Sequence, residues 1–364
     1  MRVLQLVGSS TGGIGRHVRA LAAGLAGRNV EVVVAAPALT AASAGLRELP
    51  GVRLADVEIA DRPRPRADLR AARRIRSLAG GCEVVHAHGV RAGALAALAL
   101  GTLRHRPRLV VTVHNAPPSG GAAARIHRLL ERLVAARADA VLAVSPDLVD
   151  RFGALGARRV ALALVPAPAQ GAPRPGAKGL VRAALGVAAD AALVVVVARL
   201  AAQKGLPVLL DAAARLAGDR PGLLAVVAGE GPLRGDLQRR IDAEHLPVRL
   251  LGPRGDVSDL LAAADVVAVP SRWEGQSLAV QEALRAGAPL VATAAGGTPW
   301  LVGDAAVLVP PGDPDALAGA VAGLLEDEGR RAGLREAARR RAAQLPTEED
   351  AVSQVLTVYR ERLG

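Results

Sequence analysis

Apolar residues in this chain come in short dense runs, separated by longer stretches that mix alanine with arginine. Val30 to Ala35, Leu109 to Val113 and Ala140 to Val144 are runs of this kind. They are shorter than an ordinary helix and rich in β-branched side chains, which predicts strands, and the stretches between them are long enough to be helices. Strand and helix in alternation predict a parallel sheet covered by helices. The pattern fails at Val165-Pro166-Ala167-Pro168 and through Gly171-Ala172-Pro173-Arg174-Pro175-Gly176. Proline and glycine forbid a regular element there, so an interdomain linker is placed at 166–180. A second series opens with Leu193 to Ala198, a nearly continuous valine run suited to a strand buried on both faces. It continues with Leu224 to Ala228, Val248 to Leu251, Val266 to Val269 and Leu290 to Ala292, and helical segments follow at Pro314 to Glu328, Gly329 to Ala343 and Glu348 to Leu363. The expectation is an α/β chain of two doubly wound domains, 1–165 and 181–345, with 346–364 a C-terminal helix able to pack back on the first domain.

Composition changes this picture little. A chain of 364 residues exceeds what one core supports, and a cleft between two domains is a natural ligand site. The formal charge of +12 raises nucleic acid, anionic membrane or phosphorylated ligands as partners. Lys178 and Lys204 are the only lysines, however, and arginine-rich coding accounts for the excess equally well. Phe152, Tyr359, Trp273 and Trp300 are too few and too scattered to form a stacking platform for bases, which argues against nucleic acid. A single cysteine, Cys82, excludes an internal disulfide and fits a reducing compartment. The apolar stretch Val3 to Val7 is too short for a signal-peptide core, and Ala92 to Leu103 is too short to span a bilayer. A cytoplasmic protein is expected.

Candidate chemistry sits in the loops after the strands. The first strand runs into Gly8-Ser9-Ser10-Thr11-Gly12-Gly13-Ile14-Gly15 and then a helix. Glycines let the backbone approach a ligand, and a helix N-terminus offers amides to phosphate, although a tight turn of purely structural purpose would look the same. The loop also resembles the nucleotide loop of short-chain dehydrogenases, which makes a nicotinamide-dependent oxidoreductase the rival reading. Against it, the second strand ends Val34-Ala35-Ala36-Pro37 without an acidic residue for the ribose, and Tyr359 has no lysine four positions on. Neither lysine follows the glycine that a P-loop requires.

In the second half, Ala198 to Leu206 closes one strand and opens a helix, and Arg199 with Lys204 supplies two cations suited to a diphosphate. The segment Pro270 to Gly287 carries Glu274 and Glu282, with Ser277 a candidate N-cap and Gly287 a candidate stop for a helix whose open amides suit an anionic leaving group. Eight positions of helix place the two carboxylates about 12 Å apart. A retaining glycosidase pair needs roughly 5 to 5.5 Å, so the two serve different parts of one ligand, one holding a sugar and the other a ribose.

A glutamate followed by seven residues and a second glutamate resembles the mark of the family 4 retaining glycosyltransferases, the glycosyl transferases group 1, which have the GT-B fold. Matches along nearly the whole chain support it: Gly12-Gly13 with His17-Val18, Val85-His86-Ala87-His88-Gly89, Thr112-Val113-His114, Val144-Ser145, Arg199 to Gly205, Gly229-Glu230-Gly231-Pro232 and Gly296-Gly297. The resemblance implies two Rossmann-like domains facing each other across a cleft. It implies transfer of a hexose-type sugar from a UDP- or GDP-sugar to a lipid-linked, glycan or small-molecule acceptor, with retention and with neither cofactor nor metal. Arg199 and Lys204 would hold the diphosphate, and Glu274 the transferred sugar's hydroxyls, with amides from Gly275, Gln276, Ser277 and Leu278. Glu282 would bind the ribose, Gly252 to Val257 would lie near the base, Gly12, Gly13 and Gly15 would face the phosphates, and His114 would lie near the reacting sugar. The chain departs from the family at Val165-Pro166-Ala167-Pro168, where relatives often show a Pro-Asn-Gly turn, and at Gly275-Gln276-Ser277, where many read Gly-Phe-Gly. A catalytically silent sugar-nucleotide-binding protein of the same fold is the third reading. Arg62, Arg64 and Arg66, continued by Arg70, Arg73, Arg74 and Arg76, would suit anionic lipid headgroups or an acidic acceptor, or form an ordinary solvated face.

Overall fold

The computed structural model describes residues 1–10, 12–60, 62–118, 120–169, 171–188 and 190–361. It divides into two compact units, one made of Met1–Pro166 and Pro346–Gly364, the other of Ala167–Leu345.

The first unit is built on seven strands: β1 (Arg2–Val7), β2 (Glu31–Ala36), β3 (Val52–Asp56), β4 (Val84–His88), β5 (Arg108–Val113), β6 (Ala140–Ala143) and β7 (Val160–Leu162). They pair in the order β3-β2-β1-β4-β5-β6-β7, every pair parallel. The crossovers carry α1 (Gly13–Ala26), α2 (Ala38–Ser43), α3 (Pro65–Ala79), α4 (Val90–Leu100), α5 (Gly121–Arg137) and α6 (Pro146–Ala154). The chain winds outward from β1 to β3 and then crosses back to β4. The strand order therefore reverses between β1 and β4, where sheets of this kind open a crevice at their carboxyl ends.

In the second unit α7 (Ala177–Leu185) precedes β8 (Leu193–Val197), followed by α8 (Leu206–Asp219), β9 (Leu224–Ala228), α9 (Arg234–Ala243), β10 (Val248–Gly252), α10 (Val257–Ala263) and β11 (Val266–Val269). Then come α11 (Leu278–Arg285), β12 (Leu290–Thr293), α12 (Thr298–Val302), β13 (Val307–Val309), α13 (Pro314–Glu326) and α14 (Glu328–Ala342). The sheet order β10-β9-β8-β11-β12-β13 puts the corresponding reversal between β8 and β11. Successive residues of β8 point to opposite faces: Val194 and Val196 join Leu209 and Leu317 in one core layer, while Leu193 and Val195 join Val280 and Ala338 in the other. Burial on both faces is why this strand reads as unbroken valine.

Part of the segment read as linker is ordered against the second unit. Helix α7 starts at Ala177, the Arg174 amide and guanidinium both bond Asp259, and the buried Arg182 pairs with Asp265 at 2.9 Å. Tertiary ion pairs of this kind leave no trace in a local apolar pattern.

The last helix, α15 (Glu348–Arg360), belongs to the first unit, and residues 362–364, which include the expected helix end at Leu363, lie outside the described residues. A capping box between Thr347 and Asp350 starts α15. It packs on α1 so closely that a Cβ at Gly24 would come within 2.4 Å of a Val352 methyl. No helix is long and apolar enough to cross a membrane among the described residues.

Candidate active site

At the reversal in the second unit, the loops after β8 and β11 meet. Lys204 closes a short 3-10 turn, Ala202–Lys204, and Gly205 then takes φ +64 before α8 begins. A Cβ there would lie 1.9 Å from the Pro270 carbonyl oxygen, so only glycine lets this loop close onto the end of β11. Across the contact the Arg272 amide donates to the Gln203 carbonyl at 2.8 Å, and Gln203 Nε2 donates to the Trp273 carbonyl at 2.9 Å. These bonds deliver Lys204 Nζ to within 2.6 Å of Glu274 Oε1, which also accepts from Ser271 Oγ at 2.6 Å. The Glu274 side chain is 6% exposed and that of Lys204 is 23% exposed. Burying a carboxylate this deeply carries a desolvation cost that such partners offset.

Glycines from two other strand ends complete the floor. Gly296, after β12, has φ +58, and a Cβ on it would strike the Glu274 carbonyl oxygen at 2.2 Å, while the Gly297 amide donates to that oxygen at 2.8 Å. Gly229 and Gly231, after β9, press on Ala198 and Leu200, the residues flanking Arg199. Arg199 itself is exposed at the carboxyl end of β8. Gly275, Gln276 and Ser277 are buried, and Ser277 is the N-cap of α11, without a capping bond from its own side chain. Leu278 opens that helix and Glu282, 9% exposed, lies within it. Gly252 ends β10 with φ +76, and Val257 is the first residue of α10.

The structure thus joins Lys204 directly to Glu274, two residues that sequence reading gave to different parts of a ligand. It adds Ser271 and Gln281, which that reading missed. Gln281 is fully buried and accepts the Ala167 amide at 2.8 Å, anchoring the start of the unit. A polar residue beside an acidic one in a helix carries no signal for such a role.

Gly12, Gly13, Gly15 and His114 belong to the first unit. Gly12 and Gly13 are exposed at the N-terminus of α1, whereas Gly15 is buried, with room for a Cβ only 2.9 Å from that of Ala44. The demand at Gly15 is one of packing. Around its own strand reversal this unit gathers four histidines, His17, His86, His88 and His114, all 8% exposed or less. His86 bonds Tyr359 of α15 and Thr112, and His88 bonds Gln5 and His114. Burial lowers the pKa of His17 to about 4 and, with repulsion from His17, that of His86 to about 3. Burial also holds His88 and His114 well below the usual range, with lesser contributions from neighbouring imidazoles. All four are therefore neutral at pH 7. No group of three or more His, Cys, Asp or Glu is placed to hold a metal ion among the described residues.

Beside this cluster a cavity of about 260 Å³ opens at the ends of β1 and β4. Gly8, Ser9, Ile59, His88, Asn115 and the start of α4 line it, with Arg91 and His127 at its wall. Arg91 pairs with Asp68 at 2.8 Å, and His127 Nε2 lies 3.4 Å from Glu131 Oε1. Burial would raise the Glu131 pKa, but His127 and Arg151 hold it at about 2.

A family model described as "Glycosyl transferases group 1" matches residues 178–341, and one described as "Glycosyl transferase 4-like domain" matches residues 12–168. The D-inositol 3-phosphate glycosyltransferase of Saccharomonospora viridis is 34% identical over 251 residues, 65% of this chain and 53% of that protein. The chain thus spans about half the length of that relative. D-inositol 3-phosphate glycosyltransferase 1 of Catenulispora acidiphila is 34% identical over 307 residues, 78% of this chain and 73% of that one. Among solved structures, Anabaena HepE in complex with UDP-glucose superposes with a TM-score of 0.82 at 24% identity, covering 98% of this chain and 100% of that one. WaaG, a glycosyltransferase involved in lipopolysaccharide biosynthesis, gives 0.75 at 17% identity, covering 99% and 100%. These two likenesses concern the fold, which is GT-B.

Proposed function

Because this chain belongs to the glycosyl transferases group 1 family, we propose that it transfers a hexose-type sugar from a UDP-sugar to an acceptor, with retention of configuration and without a metal ion. The observation that carries this reading is the contact of Lys204, Glu274 and Ser271 at the strand reversal of the second unit. Lys204 has three protons and gives one to Glu274, leaving two for a diphosphate oxygen. Arg199 and the amides opening α11 add to the stabilisation of charge that develops on the departing diphosphate, the role otherwise taken by a metal. Glu274 keeps an oxygen for sugar hydroxyls, and Glu282 takes the ribose. UDP is favoured because the Anabaena fold relative was solved with UDP-glucose. No further cofactor enters this scheme.

The cavity of the first unit suits an acceptor of about one sugar ring, and the relatives named for inositol 3-phosphate suggest a small polyol phosphate to try first. The test is UDP release from UDP-glucose with inositol 3-phosphate and simple sugars as acceptors, and NMR of the product's anomeric carbon. Acceptor-dependent release with an α-linked product, unchanged by EDTA, is expected. An inverted product or loss of release in EDTA would remove the corresponding part of the proposal, and absence of release with every nucleotide sugar would favour the silent binding protein.

A second contact is proposed for α3, α4 and α5, which lie side by side. Leu69, Ile126 and Leu129 are 52%, 41% and 62% exposed, among Arg66, Arg70, Arg73, Arg74, Arg125, Arg128 and Arg132. Apolar side chains set among arginines match an anionic bilayer surface. Sedimentation with vesicles containing phosphatidylglycerol should be lost in Leu129→Glu and retained with the wild type; equal binding to neutral vesicles would sink the idea.

A further inference from the structure

The hydrogen-bonded chain inside the first unit has a polarity that can be followed atom by atom. Gln5 Nε2 donates to the Tyr359 hydroxyl at 3.0 Å. The hydroxyl passes its own proton toward His86 Nδ1, 2.6 Å away, which must then carry a lone pair. Neutral His86 has its proton on Nε2 and donates it to Thr112 Oγ1 at 2.7 Å. On the other side of the amide, Gln5 Oε1 can only accept, so His88 Nε2, 2.6 Å from it, is the protonated nitrogen. His88 Nδ1 then accepts from His114 Nε2 at 3.2 Å. His88 lines the cavity, yet both its nitrogens are engaged within the chain. Neutral His114 is left with a lone pair on Nδ1.

We propose that Gln5, anchored by Tyr359, is a positioning residue that sets the tautomers of His88 and His114 and so makes His114 Nδ1 a hydrogen-bond acceptor toward a ligand hydroxyl. Turning the Gln5 amide over would reverse every bond and present an Nδ1–H donor instead. Neither a hydroxyl nor an imidazole can choose the direction, because each donates and accepts; the amide, with distinct ends, can. The inference rests on the transferase reading only in taking that hydroxyl to be a sugar's. The proton order itself needs no ligand.

The test is a long-range proton–nitrogen correlation spectrum of the full chain labelled with 15N-histidine at pH 7.5, without ligand. His86, His88 and His114 should all be Nε2–H tautomers. In Gln5→Leu the chain is cut, and His88 and His114 should become tautomer mixtures. A wild-type His114 carrying its proton on Nδ1 would overturn the proposal even if Gln5→Leu fails to fold, and so would a folded Gln5→Leu in which His88 and His114 keep single Nε2–H tautomers. A protein that shows the predicted pattern but binds no nucleotide would overturn the transferase reading and leave the proton order standing.

Discussion

Lys204 and Glu274 show what a single side chain contributes to two functions at once. Their contact buries a carboxylate that would otherwise be stranded, and it holds in waiting the cation assigned to the diphosphate. Lys204→Ala should lower turnover with UDP-glucose by about 10²- to 10³-fold, the range seen when one charge-stabilising donor is removed. It should also destabilise the second unit, because Ser271 alone remains to satisfy Glu274. Glu282→Gln has a different expected signature: a raised Kd for UDP, measured by calorimetry, with turnover at saturation nearly intact. Unchanged UDP affinity together with altered sugar choice would reverse the roles given to the two glutamates. Sequence could nominate Lys204 and Glu274, since one is among two lysines and the other lies in a spaced motif. It could not show that they touch, because that contact depends on two loops 70 positions apart.

Loops after strands, more than the strands themselves, decide whether this site forms. Glycines 205, 229 and 296 each sit at positive φ where a side chain would meet backbone at 2.2 Å or less. Gly205→Ala should cost on the order of 3 kcal/mol, as both strain and a clash with the Pro270 carbonyl are imposed. Urea unfolding of the variant would read this as a lowered midpoint, and a stability equal to wild type would mean the loop can move aside freely. Central strands such as β2, β5, β8 and β11 were legible from apolar runs buried on both faces, whereas β3, β7 and β13, only partly buried, carry no such run. Short elements were not legible: α2 and α12, six and five residues long, are too short to show a period, and α7 begins inside the proline- and glycine-rich stretch read as linker. The glycine loop of α1 was legible from its composition, but the packing of Gly15 against Ala44 was not.

The whole molecule contains two units with opposite sensitivities. In the first, four buried histidines have folded pKa values below the 6.5 of an exposed imidazole. The unfolded chain therefore binds more protons, and stability is complete above pH 6.5 and lost as pH falls toward 4. Each histidine costs about 1.4 kcal/mol per pH unit in that window, so at pH 5.5 the four together cost roughly 5 kcal/mol. That corresponds to a fall of about 10–20 °C in the melting temperature of a unit this size. Nucleotide should act on the second unit instead, where UDP at a hundred times its Kd contributes about 2.7 kcal/mol. Scanning calorimetry at pH 7.5 and 5.5, with and without UDP, should move one transition by pH and the other by UDP. A melting profile insensitive to pH would mean that the histidines take up protons as readily in the folded protein as in the unfolded chain.

The return of α15 to the first unit has a consequence for biosynthesis. On the ribosome, β1, β4 and β5 emerge with Gln5 and His86 lacking the hydroxyl of Tyr359, and they wait while the entire second unit is made. The second unit can settle as soon as it clears the exit tunnel, whereas the first cannot close its polar interior until the final helix appears. A chain cut short before that helix leaves Gln5 Nε2 and His86 Nδ1 without the hydroxyl that joins them.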